Sequence, residues 1–145
     1  MSIEPTLTHI EPFVISGLSV RTCNQDEFNL ETARLPHLWA QFAASHPVAP
    51  VYGVYSDYDS DASGFYTMTA GTQTSNPTLS NVTIQAGQYL VFSGHGTMPQ
   101  AVIDTWKRVW AYFETPGDYK RNFVTDFECY SGADEIAVYI GVTNK

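Results

Sequence analysis

Hydrophobic and polar positions along the chain change period several times, and those changes mark the elements. Residues 13–21 alternate weakly and are rich in β-branched side chains, which predicts a strand, and Thr22-Cys-Asn-Gln-Asp-Glu27 then breaks the alternation with residues that start helices. Leu35, Leu38, Trp39 and Phe42 recur at spacings of three and four, one face of a helix. Pro36 is tolerated only in a first turn, so regular helix is expected from near residue 34, and the His46-Pro47 step and Pro50 should end it. Strands at about 51–58 and 65–71, around the turn Asp59 to Gly64, read as a hairpin, and Thr72 to Ser80 reads as a connector. A strand at 82–92 then leads through Ser93-Gly-His-Gly96 to a helix capped by Thr97, with Pro99 in its first turn. Val102, Trp106, Val109, Trp110 and Phe113 form its apolar face, Pro116-Gly117 closes it, and strands at about 123–130 and 135–142 flank Ser131 to Asp134 as a second hairpin.

Both halves thus read β-α-β-β, and short matches connect them. Gly17 matches Gly87 and Gly71 matches Gly141, each at an offset of 70; Trp39 and Phe42 match Trp110 and Phe113 at 71; Tyr55-Ser56 matches Tyr130-Ser131 at 75. Such drifting offsets point to a duplicated unit with changed loop lengths. The expected fold is α+β, a pseudo-two-fold duplication within one domain over residues 1–145, repeat 1 at about 8–72 and repeat 2 at about 80–143. An antiparallel sheet should carry the helices on one side and leave its other face for a ligand cleft between the halves.

Composition narrows the function classes. Hydrophobic residues are 43% of the chain and charged residues 15%, enough to bury a core. Seven basic and fifteen acidic residues give a net charge of −8, which opposes nucleic-acid binding and weakly favours cations. Cys23 and Cys129 sit in no paired motif and no leader precedes them, so a reduced, cytoplasmic protein is expected. No apolar run approaches the roughly 18 residues of a membrane span. His9, His37, His46 and His95 lack the spacing of a zinc site, and no phosphate loop or nucleophile elbow appears, so no cofactor or metal is expected. Aromatics reach 14%, a quantity that suits either a tyrosine-rich core or a ring-lined cleft.

Period two in Asp126-Phe-Glu-Cys-Tyr130 places Asp126, Glu128 and Tyr130 on one face. Through the repeat these correspond to Val51, Gly53 and Tyr55, so a missing side chain at Gly53 faces a carboxylate at Glu128. Glu128 is therefore either the anchor of a ligand beside that space or a surface carboxylate paired with a neighbour such as Arg121. Tyr55 and Tyr130 share its face, whereas Tyr52 and Phe127 point the other way into core. Trp39 and Trp110 lie on the apolar helix faces, where packing alone explains them, and Trp106 and Tyr112 are placed to reach the cleft from its rim.

Ala33-Arg-Leu-Pro-His-Leu-Trp39, Val51-Tyr-Gly-Val-Tyr55, Ala86-Gly-Gln-Tyr-Leu-Val-Phe92, Trp110-Ala-Tyr-Phe113 and Asp126-Phe-Glu-Cys-Tyr130 together resemble the GyrI-like small-molecule-binding family. This family is also known as the AraC-type effector-binding domain and includes integron-cassette relatives. The similarity spans about residues 8–143. It implies paired β-α-β-β units, a cleft that takes lipophilic cations and aromatic drugs, and a buried glutamate that maps onto Glu128. Many relatives carry a helix-turn-helix ahead of this domain; with fewer than about a dozen residues before its first strand, this chain is expected to bind ligand without direct control of transcription.

Two rival functions follow from the same residues. A buried carboxylate with a raised pKa is a credible general base, so a hydrolase would use Glu128 with Tyr130 or Tyr55; spacing places no second catalytic group beside it, and His95, between two glycines, is the best candidate for one. A gyrase or regulator partner is the other, since the resemblance includes a gyrase-binding inhibitor and Asp57, Asp59 and Asp61 cluster at a turn, though a solvated loop explains that cluster equally well.

Overall fold

The computed structural model describes residues 5–29, 31–45, 47–48, 50–61, 63–74, 76–115 and 117–144. Its elements are β1 (Thr6–Ile10), β2 (Phe13–Cys23), α1 (Asn24–Glu27), α2 (Leu35–Ala43), β3 (Val51–Ser56), β4 (Phe65–Gln73), β5 (Ser80–Ile84), β6 (Gly87–His95), α3 (Gln100–Glu114), β7 (Tyr119–Gly132) and β8 (Glu135–Asn144). The eight strands form one antiparallel sheet in the order β1-β6-β8-β7-β3-β4-β2-β5. The α+β class and the paired β-α-β-β units are as expected. The halves are β2-β4-β3 and β6-β8-β7, and they join where β3 pairs with β7, Gly53 opposite Glu128.

Two strands went unread. The residues before position 13 include β1, and the run expected as one strand at 82–92 is two, β5 and β6, broken at Gln85-Ala86. Each extra strand crosses to the other half: β1 pairs with β6, and β5 pairs with β2. Phe13 opens β2 opposite Ile84, the end of β5, as Gly87 opens β6 opposite Ile10, the end of β1. Gly87 is therefore the counterpart of Phe13, and the match to Gly17 is out of register. The two glycines do different jobs. Gly17 pairs with Gly71 where β2 and β4 approach so closely that a Cβ on Gly17 would lie 1.8 Å from the Ala70 carbonyl oxygen, whereas Gly87 starts a strand at φ +150°.

Strand periodicity sends alternate side chains to two faces. The helices pack on one. Leu38 and Phe42 of α2 are buried with Tyr66, Met68 and Ala70 of β4, and Val109 and Ala101 of α3 with Leu90, Phe92, Val138 and Ile140. The opposite face, expected to hold the cleft, is filled instead: Phe13, Ile15, Tyr52, Val54, Ile84, Tyr89, Cys129, Phe127 and Tyr139 form a third cluster, with the Phe127 and Tyr139 rings stacked at 4.3 Å. The sheet curls enough that the β5–β6 junction reaches β7, where Thr125 Oγ1 accepts from Gln85 N at 3.2 Å and bonds the Tyr89 hydroxyl at 2.7 Å. Apolar residues at every second position of β2, β3 and β7 are thereby covered by the sheet itself.

The helix boundaries follow local chemistry. Pro36 lies in the first turn of α2, whose N-terminal N–H groups are capped from a distance: Glu27 Oε2 accepts from Arg34 N at 2.9 Å and Oε1 from Leu35 N at 3.1 Å. Thr97 does not cap α3 with its side chain; the helix begins at Gln100 after Pro99, and Thr97 supplies only its carbonyl, to Ala101 N at 2.9 Å. α2 stops at Ala43, ahead of the expected His46-Pro47 step, and both His46 and Pro116 lie outside the described residues.

Candidate functional site

On the helix side of the β3–β7 seam, α2 and α3 stand apart and leave a pocket of about 490 Å³, within the range of small-molecule sites. Glu128 lies at its base, 3% exposed. The Tyr55 hydroxyl donates to Glu128 Oε2 at 2.8 Å, the Trp106 indole N–H donates to the same oxygen at 2.7 Å, and the Tyr130 hydroxyl donates to Oε1 at 2.8 Å. Among the described residues no lysine or arginine forms an ion pair with it, and Arg121, the neighbour considered from sequence, pairs with Asp126 at 2.7 Å.

Two effects oppose each other at this carboxyl. Burial disfavours the charged form, while the donors from Trp106, Tyr55 and Tyr130 favour it; burial wins, so the Glu128 pKa is raised above the ordinary carboxyl value. The same burial and the Glu128 charge push the Tyr55 and Tyr130 hydroxyls upward, so both remain proton donors.

The walls repeat the pseudo-symmetry in crossed form. Trp39 of the first half meets Tyr130 of the second edge to face at 5.5 Å, and Trp106 of the second half meets Tyr55 of the first in the same way at 5.3 Å. Trp106, not Trp110, is thus the counterpart of Trp39. The equivalence extends along the helices: Leu35 and Val102 line the pocket, and Phe42 and Val109 are buried beneath it. The sequence match between the two Trp-Ala segments is displaced by one helical turn, because four residues along a helix return to nearly the same face.

Trp110 lies at the mouth, 39% exposed, with Ile103 and the 76%-exposed Phe28. Gly53 does not open space for a ligand, since a Cβ there would lie 2.6 Å from Met68 Cε and 2.9 Å from Trp39 Cζ2; its missing side chain lets Trp39 lie over β3. Tyr112 is not in the wall and packs against the rings of Phe92 and Phe113. Of the proposed residues, Glu128, Tyr130, Tyr55, Trp106, Trp39 and Trp110 converge on one pocket.

Sequence reasoning missed several others. Tyr66 shares the helix-side period of Met68 and Ala70 and was legible in principle; Glu27, Tyr58 and Phe28 lie beyond regular strands, where no period signals direction. Asp57, in the left-handed region at φ +51°, turns the chain so that the Tyr58 hydroxyl reaches Asp126. Asp59 is paired with Arg21 at 2.6 Å and Asp61 accepts from Ser63, so the acidic turn is internally bonded. His9 and His95 pair with Glu11 and Asp134 in exposed positions, and neither lines the pocket. Among the described residues no group of three or more His, Cys, Asp or Glu is placed to hold a metal, and no helix is long and apolar enough to cross a membrane.

Residues 6–142 match the Cass2 family, described as integron-associated effector binding protein. An integron cassette protein from the mobile metagenome of Vibrio cholerae, VCH_CASS2, is 38% identical with a TM-score of 0.88, covering 97% of this chain and 96% of that one. A putative transcriptional regulator of Bacillus subtilis (strain 168), YobU, is 31% identical over 139 residues, 86% of this chain and 84% of that protein. SAV2435, solved bound to tetraphenylphosphonium, shares the fold at 14% identity with a TM-score of 0.74, covering 97% of this chain and 94% of that one. The chain belongs to the integron-associated effector binding proteins, a small-molecule-binding family.

Proposed function

We propose that the pocket binds amphipathic, cationic aromatic molecules and that Glu128 is the group that holds the cation. The observation that carries this reading is a carboxylate at the floor of an apolar, ring-walled pocket with three neutral donors and, among the described residues, no cationic partner. A buried charge without a counter-ion costs several kcal/mol, and three hydrogen bonds do not offset the burial here, since the pKa remains raised. A ligand cation supplies the missing charge. The rings of Trp39, Trp106, Tyr55 and Tyr130 around it add cation–π attraction of roughly 0.5–2 kcal/mol each. SAV2435 with tetraphenylphosphonium makes that ion a reasonable first probe for a chain of the same fold.

The test is calorimetric titration of the native protein and Glu128→Gln with tetraphenylphosphonium, with ligand integrity checked by mass spectrometry. Affinity near micromolar, about −8 kcal/mol, that weakens at least about tenfold in the variant with ligand unchanged supports a binding module. Equal binding by both proteins removes Glu128 from the reading. Hydrolysis is a poorer fit to the geometry, because both Glu128 oxygens already accept hydrogen bonds from Tyr55, Trp106 and Tyr130 and no histidine among the described residues lines the pocket.

A further inference from the structure

Among the described residues, the pocket wall contains one nine-tenths buried charged side chain whose hydrogen-bonding capacity is largely unspent, since Lys107, also in the wall, is exposed to water. Arg121 is 10% exposed and its Nη2 donates to Asp126 Oδ2 at 2.7 Å; Nε is buried without an acceptor, and Nη1 makes no hydrogen bond among the described residues. The guanidinium is nevertheless held firmly. It lies 4.5 Å over the Phe123 ring, and Asp126, fully buried, also accepts from the Tyr58 hydroxyl and from Gly141 N at 2.8 Å.

The backbone is irregular just where this arrangement is made. Regular β7–β8 pairing lapses between Arg121 and Asp126, and Phe123 adopts φ +53°, a left-handed conformation that a bulky side chain rarely takes. Gly141 accommodates the bulge, since a Cβ there would lie 2.8 Å from Asn122 Oδ1 and 2.9 Å from the Thr125 carbonyl oxygen. A plain ladder would need none of this. Together the bulge, the ring and the carboxylate fix a guanidinium in the pocket wall with donors left over.

We propose that Arg121 is a specificity-determining donor, selecting among the cations this pocket takes those that also carry a neutral acceptor oxygen such as a ketone or amide carbonyl. The inference rests on the cation-binding reading above and deepens it. Charge decides that the acceptor is neutral. Asp126 already balances the guanidinium, and Glu128 lies two residues along the same face of β7, about 7 Å away at strand spacing, so a ligand carboxylate would meet two carboxylates for one arginine. A carbonyl oxygen accepts from the guanidinium without adding charge. The ligand class is then a cation at Glu128 joined through an apolar body to a carbonyl at Arg121.

Two permanent cations differing by one oxygen test this: (4-oxo-4-phenylbutyl)trimethylammonium and (4-phenylbutyl)trimethylammonium. The native protein should bind the ketone at least about fivefold more tightly, the advantage expected of a hydrogen bond from a charged donor. In Arg121→Lys, whose ammonium is drawn to Asp126 and lacks the planar fork that places donors at the Nε and Nη1 positions, the two probes should bind within about twofold of each other. Independently of any variant, the Arg121 Nε–Hε NMR resonance, assigned in the native protein, should shift on adding the ketone and not the alkyl cation. Equal binding of both probes by the native protein, an advantage that survives intact in Arg121→Lys, or an unmoved resonance overturns the proposal. The alkyl cation isolates the parent reading: if it binds the native protein and not Glu128→Gln, the cation site stands whatever the ketone does, and if neither probe binds, both readings fall.

Discussion

Gly53 stands directly across the β3–β7 ladder from Glu128, and a Cβ at Gly53 would lie 3.0 Å from Glu128 Oε1. At the join of two similar halves, one supplies the charge and the other supplies no side chain at all. The pseudo-symmetry is therefore broken at the point where a ligand cation would sit. The space beside Gly53 goes to Trp39 and Met68, which makes this glycine a support for the wall.

Gly53→Ala should accordingly destabilise the protein by about 1–3 kcal/mol through overpacking against Trp39 and Met68. It should also weaken tetraphenylphosphonium binding by moving the Trp39 ring. Denaturant unfolding and calorimetry on the same sample measure both, and an unaltered affinity would show that Trp39 does not touch the ligand.

The pH dependence has a definite sign. Because burial raises the Glu128 pKa in the folded protein, the folded state holds its proton more tightly than the unfolded state. This group's contribution to stability falls as pH rises from the ordinary carboxyl value through the raised one, then stays level. Affinity for a permanent cation moves the opposite way, rising over the same window and then levelling off, since the cation favours the carboxylate. Both slopes should be absent from Glu128→Gln in pH-resolved unfolding and binding curves.

Trp106→Phe removes one of the two donors to Glu128 Oε2 while keeping a ring in place. Loss of a hydrogen bond to a charged acceptor costs about 1–3 kcal/mol. The Glu128 pKa should rise further, moving the onset of cation binding to higher pH. A titration of affinity against pH that overlays the native curve would exclude that role for the indole.

Phe28 is 76% exposed at the pocket mouth, so Phe28→Ser should leave stability within about 0.5 kcal/mol. Affinity for tetraphenylphosphonium should still fall severalfold if the ligand's outer rings rest on Phe28. Thermal unfolding alongside titration separates the two effects.

Much of this architecture is present in the sequence because it depends on local periodicity. Leu35, Leu38, Trp39 and Phe42 can share one face only on a helix, and Asp126, Glu128 and Tyr130 only on a strand, so the paired β-α-β-β units and the grouping of Glu128 with Tyr130 follow from spacing, while Tyr55 is added by the internal repeat and brought to them by the pairing of β3 with β7. Periodicity states which residues share a face and is silent on what covers that face. Only the assembled sheet, curled so that the β5–β6 junction meets Thr125, fills the back with Phe13, Tyr52 and Phe127 and leaves the pocket between the helices. Helical repetition also hides a one-turn slip, so tertiary packing decided that Trp106 crosses to Tyr55 as Trp39 crosses to Tyr130. Arg121 reaches the wall through an irregular stretch of β7, and β1 and β5 each find their partner in the other half; these are long-range pairings, whose energy comes from residues far away in the chain and leaves no mark on local pattern.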